Sequence, residues 1–222
     1  MKVVTLLSGG IDSSTLLYWL KRSGYKVKAL TIIYGQKHSR EIESAKIIAK
    51  RIDVDWTCVD LSALQPLLKS ALTRTDVEIP SVPDQTAHYN TLQVTVVPNR
   101  NMILLSIAAA YAISNDFNAV AYAAHYSDRG VYPDCRWEFV HALEVALQLA
   151  NDRPDFRVLA PFVRKTKADI VRLGHFLGVP YELTWSCYKG GERHCGKCSS
   201  CRERKRAFQE AGVPDPTAYD TC

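Results

Sequence analysis

Hydrophobic positions along the first sixty residues change period at regular intervals. Lys2–Leu7 is an unbroken, mostly apolar run and predicts a buried strand. From Ser13 to Arg22 the apolar residues return at helical spacing, and Gly24 supplies a stop. Val27–Tyr34, VKALTIIY, predicts a second strand rich in branched residues. Ser39–Ile52 places Ile42, Ala45, Ile48, Ala49 and Ile52 on one helical face, and Asp55–Leu61 predicts a third strand. Strands alternating with helices imply an α/β fold, a doubly wound, mostly parallel sheet covered by helices on both faces.

Between Thr73 and Val97 the rhythm breaks into a polar, proline-containing stretch, longer than an ordinary connector and read as a lid or binding segment. Periodicity then resumes. A helix is predicted over Arg100–Ser114, a strand over Ala119–Ala124, and a long helix over Pro133–Ala150 with Pro133 in its first turn. A strand over Arg157–Phe162 and a helix over Lys165–Leu177, ending before Gly178, complete the pattern. From Tyr181 onward cysteine, glycine and basic residues dominate. A short basic helix is predicted over Ser199–Ala211, followed by a loosely ordered tail, GVPDPTAYDTC. The organisation expected is an α/β domain over 1–180 and a small cysteine-rich segment over 181–222.

The 28 Lys and Arg against 23 Asp and Glu leave a formal charge of +5 over 222 residues. That surplus suits anionic substrates and does not demand nucleic acid, so no nucleic-acid partner is expected. No apolar stretch reaches bilayer-spanning length, and the first residues carry no cleavage signal; no membrane association and a cytoplasmic location are expected.

The turn between the first strand and first helix reads Ser8-Gly9-Gly10-Ile11-Asp12-Ser13-Ser14. Glycines let the backbone close around an anion, a helix start presents free N–H groups, and the serines add hydroxyls. Asp12 is out of place beside phosphates unless it helps to hold a divalent cation, Mg²⁺. The loop lacks the lysine of the GxxxxGK[ST] kind. A tight turn with Ser or Asp capping the helix is the structural alternative.

SGGIDSS resembles the SGGxDS signature of the PP-loop ATP pyrophosphatases. The resemblance implies an adenine nucleotide alpha hydrolase-like fold, in which this loop, Ser8 to Ser14, holds the β,γ-pyrophosphate of ATP while an acceptor oxygen attacks the α-phosphorus. Further stretches are similar, in order and over nearly the whole chain, to the 7-cyano-7-deazaguanine synthase family of queuosine and archaeosine precursor synthesis. They are YGQKHSREIESAKIIAK from Tyr34, ALTRTDVEIP from Ala71, VPNRNMILLSIAAAYA from Val97, VYPDCRWEFV from Val131 and KTKADIVRLG from Lys165. Two positions depart from the family pattern. Asn99 stands where the family has glycine in VPGRN, and Arg129-Gly130-Val131 replaces the usual residues before YPDCR. Asn tolerates left-handed backbone, so the turn can survive at Asn99.

This resemblance implies a ligase that turns 7-carboxy-7-deazaguanine and ammonia into the nitrile through adenylylated acid and amide, releasing AMP and pyrophosphate. It implies a homodimer acting on small molecules. Asp12, Arg100 and Lys167 are the implied catalytic set, and His38, Asn101, Tyr132, Asp134 and Arg136 the substrate-binding set. Taken alone, His38 could equally contact phosphates or substrate, or cap a helix. Arg100 opens a helix, where a cation is unfavourable without an anion nearby. Asp134 can accept hydrogen bonds from the donor edge of a guanine-like base. The alternatives are a paralogue joining the same acid to another amine, a PP-loop tRNA sulfur transferase, and a non-enzymatic zinc-ribbon module that binds nucleic acid.

Cys187, Cys195, Cys198 and Cys201 place four thiolates in a short window. Such spacing suits one structural Zn²⁺; an iron–sulfur cluster and a catalytic cysteine pair are the rivals. His194 is read as lying outside the ligand set, beside it or exposed. Cys58 and Cys135 are read as core.

Overall fold

The computed structural model describes residues 1–35, 40–68, 70 and 96–220. Among these residues five parallel strands, β1 (Lys2–Leu6), β2 (Lys26–Ile33), β3 (Asp55–Asp60), β4 (Ala119–Ala121) and β5 (Arg157–Leu159), form a sheet in the order β3-β2-β1-β4-β5. The chain moves outward through β2 and β3, then returns to the other side of β1 for β4 and β5. The order therefore reverses between β1 and β4, and at such a point the loops leaving neighbouring strands diverge to open a crevice.

Among the described residues six α-helices cover the sheet: α1 (Ile11–Arg22), α2 (Arg40–Arg51), α3 (Arg100–Ser114), α4 (Trp137–Asn151), α5 (Lys167–Leu177) and α6 (Ser199–Ala211). Successive strand residues face opposite sides, so β1 serves two cores. Val3 packs with Leu16, Leu17, Ile48, Ile170 and Phe208 under α1, α2, α5 and α6; Val4 packs with Leu30, Leu105, Val120 and Leu143 under α3 and α4. Tyr181, Ala207 and Phe208, from the cysteine-rich stretch, are buried in the first of these cores.

Three expectations are corrected. The helix read over Pro133–Ala150 is interrupted: Pro133–Cys135 is a 3₁₀ turn, Arg136 is extended (φ −97, ψ 153), and α4 starts at Trp137. The Asp134 carbonyl accepts the Tyr122 hydroxyl at 2.8 Å, and the turn closes through i→i+3 bonds instead. The strands over Ala119–Ala124 and Arg157–Phe162 keep only three residues each, because the chain leaves the ladder early to reach the crevice. The tail, as far as Asp220, is held in place. The His194 amide donates to Ala218 at 3.1 Å, Asp220 returns a bond to His194 at 2.8 Å, and the Tyr219 hydroxyl donates to Asp215 at 2.6 Å. Asn99 adopts the left-handed conformation (φ 57, ψ 19) at the N-cap of α3, as its likeness to glycine there predicts. The stretch read as a lid lies almost wholly outside the described residues. Among the described residues no helix is long and apolar enough to cross a membrane.

Candidate active site at the sheet switch point

The turn after β1 sits at the mouth of the crevice. Gly9 has φ +83, and a Cβ there would overlap the Glu41 carbonyl and crowd the Ala45 amide, so the first turns of α2 press directly on the loop. The Gly9 carbonyl accepts from the Trp185 amide at 2.9 Å. Ser8 and Ser13 bond each other through their hydroxyls at 3.0 Å, and the Ser8 amide donates to Ser13 Oγ at 3.2 Å. These serines shape the loop. Gly10 is the N-cap of α1, and no side chain caps that helix. The capping alternative therefore fails, and the first-turn N–H groups, with the positive end of the helix dipole, remain available for an anion.

Ser8, Gly10, Asp12, Ser13, Arg100 and Asn101 line one cavity of about 300 Å³. Tyr34, Glu41, Tyr122, Asp128, Cys135 and Tyr188 complete much of its wall. The other loop residues face elsewhere: the Ile11 side chain is in the core, and the Ser14 hydroxyl is buried without a partner among the described residues. Asp134 accepts the Asn101 amide at 3.3 Å, which ties the two residues together at the start of α3. Arg100 has Tyr34, Tyr132 and Asp134 around its guanidinium. Burial alone would lower its pKa, but Tyr34, Tyr132 and Asp134 keep it raised. Arg136 is exposed and donates to the Arg129 carbonyl at 2.9 Å, away from the cavity wall. His38 lies outside the described residues.

Behind Asp12 lies a cluster of charged side chains. Lys167 Nζ stands 3.3 Å from Asp12 and 2.8 Å from Glu203; His125 Nε2 stands 3.6 Å from Asp12 and 3.3 Å from Asp128. Burial pushes the Asp12 carboxyl up, but Lys167 and His125 together hold it well below the usual carboxylate range. Burial likewise opposes the charge on Lys167, and Asp12 and Glu203 outweigh it, so the ammonium stays protonated. His125 is raised by Asp12 and Asp128 against its own burial. One Asp12 oxygen, Oδ1, is buried with no hydrogen-bond partner among the described residues. An ionised carboxylate with a spare buried oxygen beside an anion site fits a hard divalent cation.

His125, Asp128, Glu203 and Glu41 escaped the sequence reading as site residues. His125 and Asp128 follow β4 at the switch point, a position readable only once strand order is known. Glu203 is the lone acid in CRERKR, the one irregularity in a run that otherwise reads as a solvated basic face.

The sulfur atoms of Cys187, Cys195, Cys198 and Cys201 lie within 4.8 Å of one another. A zinc–thiolate bond of ~2.3 Å implies tetrahedral sulfur separations of about 3.8 Å, so the spread fits one four-coordinate ion. Backbone amides already face the sulfurs: Lys189 and Cys195 donate to Cys187 at 3.3 and 3.4 Å, and Cys198 to Cys195 at 3.4 Å. His194 is buried outside the cluster, not exposed. Its Nε2 accepts the Ser186 amide at 3.1 Å, and its ring packs on Trp185 at 4.2 Å. The same stretch reaches the cavity: Tyr188 follows Cys187 directly, and Trp185 holds Gly9.

Residues 2–212 match the family model described as "Queuosine biosynthesis protein QueC". The chain is 55% identical over 222 residues to the 7-cyano-7-deazaguanine synthase of Archaeoglobus fulgidus, covering 99% of this chain and 91% of that one. It is 49% identical to the 7-cyano-7-deazaguanine synthase of Caldicellulosiruptor bescii, over 99% and 98% of the two chains. A solved 4-thiouridine synthetase in complex with RNA and bound ATP is similar in fold, with a TM-score of 0.54 at 18% identity, over 95% of this chain and 50% of that one.

Proposed function

The chain belongs to the QueC family of queuosine biosynthesis proteins, and on that premise we propose that it makes 7-cyano-7-deazaguanine from 7-carboxy-7-deazaguanine and ammonia, using ATP. It is an enzyme, and the finer reading is an ATP-dependent carbon–nitrogen ligase. The observation that carries this reading is the uncapped N-terminus of α1, which opens into the same cavity as Arg100 and Asn101. The paralogue and sulfur-transferase alternatives are not favoured, since the full-length relatives are named as synthases of the nitrile.

A carboxylate resists attack by ammonia because oxide is a poor leaving group. Attack of the substrate carboxylate on the α-phosphorus of ATP makes that oxygen leave as AMP instead. The main-chain N–H groups of Gly9, Ile11, Asp12 and Ser13 hold the departing pyrophosphate, with the Ser8 and Ser13 hydroxyls fixing the loop. Asp12, with its spare oxygen, would hold Mg²⁺, whose charge offsets that of the phosphates. Lys167 and Arg100 add fixed positive charge where negative charge develops. Ammonia then displaces AMP to give the amide. Repeating the activation on the amide oxygen, and losing AMP again, leaves the nitrile. His38, Asn101, Tyr132 and Asp134 form the proposed substrate set, with Asp134 accepting from the base; Arg136, turned away from the cavity wall, is left out of it.

Zn²⁺ bound by Cys187, Cys195, Cys198 and Cys201 would be structural, fixing the stretch that carries Trp185 and Tyr188. A homodimer is the proposed assembly. Incubation with ATP, Mg²⁺, the deazaguanine acid and ammonium should give AMP, pyrophosphate and, by mass spectrometry, the nitrile, with two AMP per product. Release of ADP and orthophosphate instead would refute the reading.

A further inference from the structure

The ligase reading leaves three protons without a destination. Ammonia joins the acyl adenylate with three N–H bonds and the nitrile nitrogen has none, so each proton must pass to a base near the reacting carbon. The groups assigned so far are poor acceptors. Asp12 is held strongly acidic by Lys167 and His125, and Lys167 and Arg100 stay protonated. Burial keeps the Cys135 thiol and the Tyr122 and Tyr188 phenols neutral. Asp128 is engaged at 3.3 Å by His125, which it shares with Asp12.

Glu41 remains. Glu41 lines the cavity with Ser8, Asp12 and Arg100. Its own carbonyl occupies the space that a Cβ on Gly9 would fill, so its backbone is locked against the nucleotide loop with no slack between them. Among the described residues, Arg100 from α3 and Tyr34 beyond β2 are the titratable groups that face it.

We propose that Glu41 is the proton acceptor for the incoming nitrogen. Ammonia adds to the acyl carbon of the adenylate, forming a C–N bond as the carbonyl electron pair moves to oxygen. The Glu41 carboxylate takes one proton from the resulting ammonium group. The pair returns, the C–O bond to AMP breaks with its electrons staying on AMP, and the amide forms. After a second ATP has adenylylated the amide oxygen, with pyrophosphate leaving, the nitrogen carries two protons. Glu41 takes one to give the neutral imidate, releases it to solvent, and takes the last as the second C–O bond breaks and the C≡N bond closes.

Burial pushes the Glu41 carboxyl up to about 7, a rise that the Arg100 charge limits. A base balanced at neutral pH both accepts each proton and gives it up before the next.

The test compares wild type, Glu41→Gln and Glu41→Asp. Exchange of labelled pyrophosphate into ATP, with the acid but without ammonia, reads adenylylation alone. Amide and nitrile formation at constant free ammonia across pH read the proton transfers. Glu41→Gln should keep exchange within about threefold while product formation falls about 100-fold or more. It should also lose the acid limb of the pH profile, and Glu41→Asp should restore that limb. Product formation at near wild-type rate in Glu41→Gln overturns the proposal. So does a loss of exchange that parallels the loss of product, or an acid limb removed by Asp128→Asn but kept by Glu41→Gln. A wild-type enzyme that shows no exchange refutes the ligase reading instead, a distinguishable result.

Discussion

Replacing Arg204 by methionine tests how the cysteine-rich stretch is held to the nucleotide loop. Arg204 has no exposed surface. Its guanidinium donates to Thr184 Oγ1 at 2.7 Å, the Tyr181 carbonyl at 2.8 Å, Ser186 Oγ at 3.2 Å and Asp215 at 3.4 Å. Methionine fills similar space but removes all four bonds; the Tyr181 carbonyl keeps the Thr184 hydroxyl and Asp215 keeps Tyr219 and Thr217, while the Thr184 and Ser186 oxygens lose the guanidinium outright. The two short bonds are worth ~1.5–3 kcal/mol each, as bonds to a charged group. Against them stands the desolvation of the guanidinium, large enough to lower its own pKa, which methionine does not carry. Breaking a buried pair from one side usually costs about 3–5 kcal/mol net, because the partners stay behind. For a chain of this size that is a fall in Tm of roughly 6–20 °C.

Thr184 and Ser186 flank Trp185, whose amide holds Gly9, so the KM for ATP in pyrophosphate exchange should rise severalfold as well. Urea unfolding and a thermal melt read the stability. Arg204→Lys, which keeps the charge and loses the planar fork, should be nearly as damaging. A loss below about 1 kcal/mol in Arg204→Met would refute the view that this residue clamps the stretch.

Asn99→Ala should cost about 1–2 kcal/mol in urea unfolding and Asn99→Gly almost nothing, because only the first forces a Cβ-bearing side chain without polar compensation into left-handed backbone. Glu41 makes stability pH-dependent. Its folded pKa of about 7 exceeds the usual 4.5, so the folded state binds the extra proton between those values. Stability should therefore fall as pH rises through that window, by up to about 3 kcal/mol, and then level off. Glu41→Gln should remove the slope and be the more stable protein at alkaline pH; an unchanged slope in denaturant titrations would contradict the assignment. A thiol-competing chelator should release about one zinc per chain. It should also change the fluorescence of Trp185, which stacks on His194 and donates to the Cys187 carbonyl at 2.8 Å, with Trp185→Phe as the control. A metal-free chain with unaltered Trp185 emission would show the cluster to be uncoupled from the loop.

Local chemistry made much of this protein readable before any coordinates. The alternation of strand and helix periods announced a parallel α/β sheet, and α3 and α6 begin and end where their patterns do. The turn after β1 and the four cysteines were legible for the same reason: the members of each lie within a short stretch, so they meet whatever the rest of the chain does, although Ile11 and Ser14 turn into the core. Pro133–Ala150 misled because helical periodicity persists through Arg136, while a distant hydroxyl, that of Tyr122, captures a carbonyl the helix needed. The tail misled because its composition is that of a loose end, and its partners, His194 and Arg204, lie elsewhere.

Only the tertiary structure brought Asp12, His125, Lys167 and Glu203 together, or set Glu41 against Gly9. These residues belong to five different segments, and nothing in the immediate sequence of any one specifies the others. What joins them is the reversal of strand order between β1 and β4, and the burial of α5 and α6 in the same core as α1. Side-chain periodicity declares which face of an element is buried; which element it is buried against depends on how all the faces pack at once.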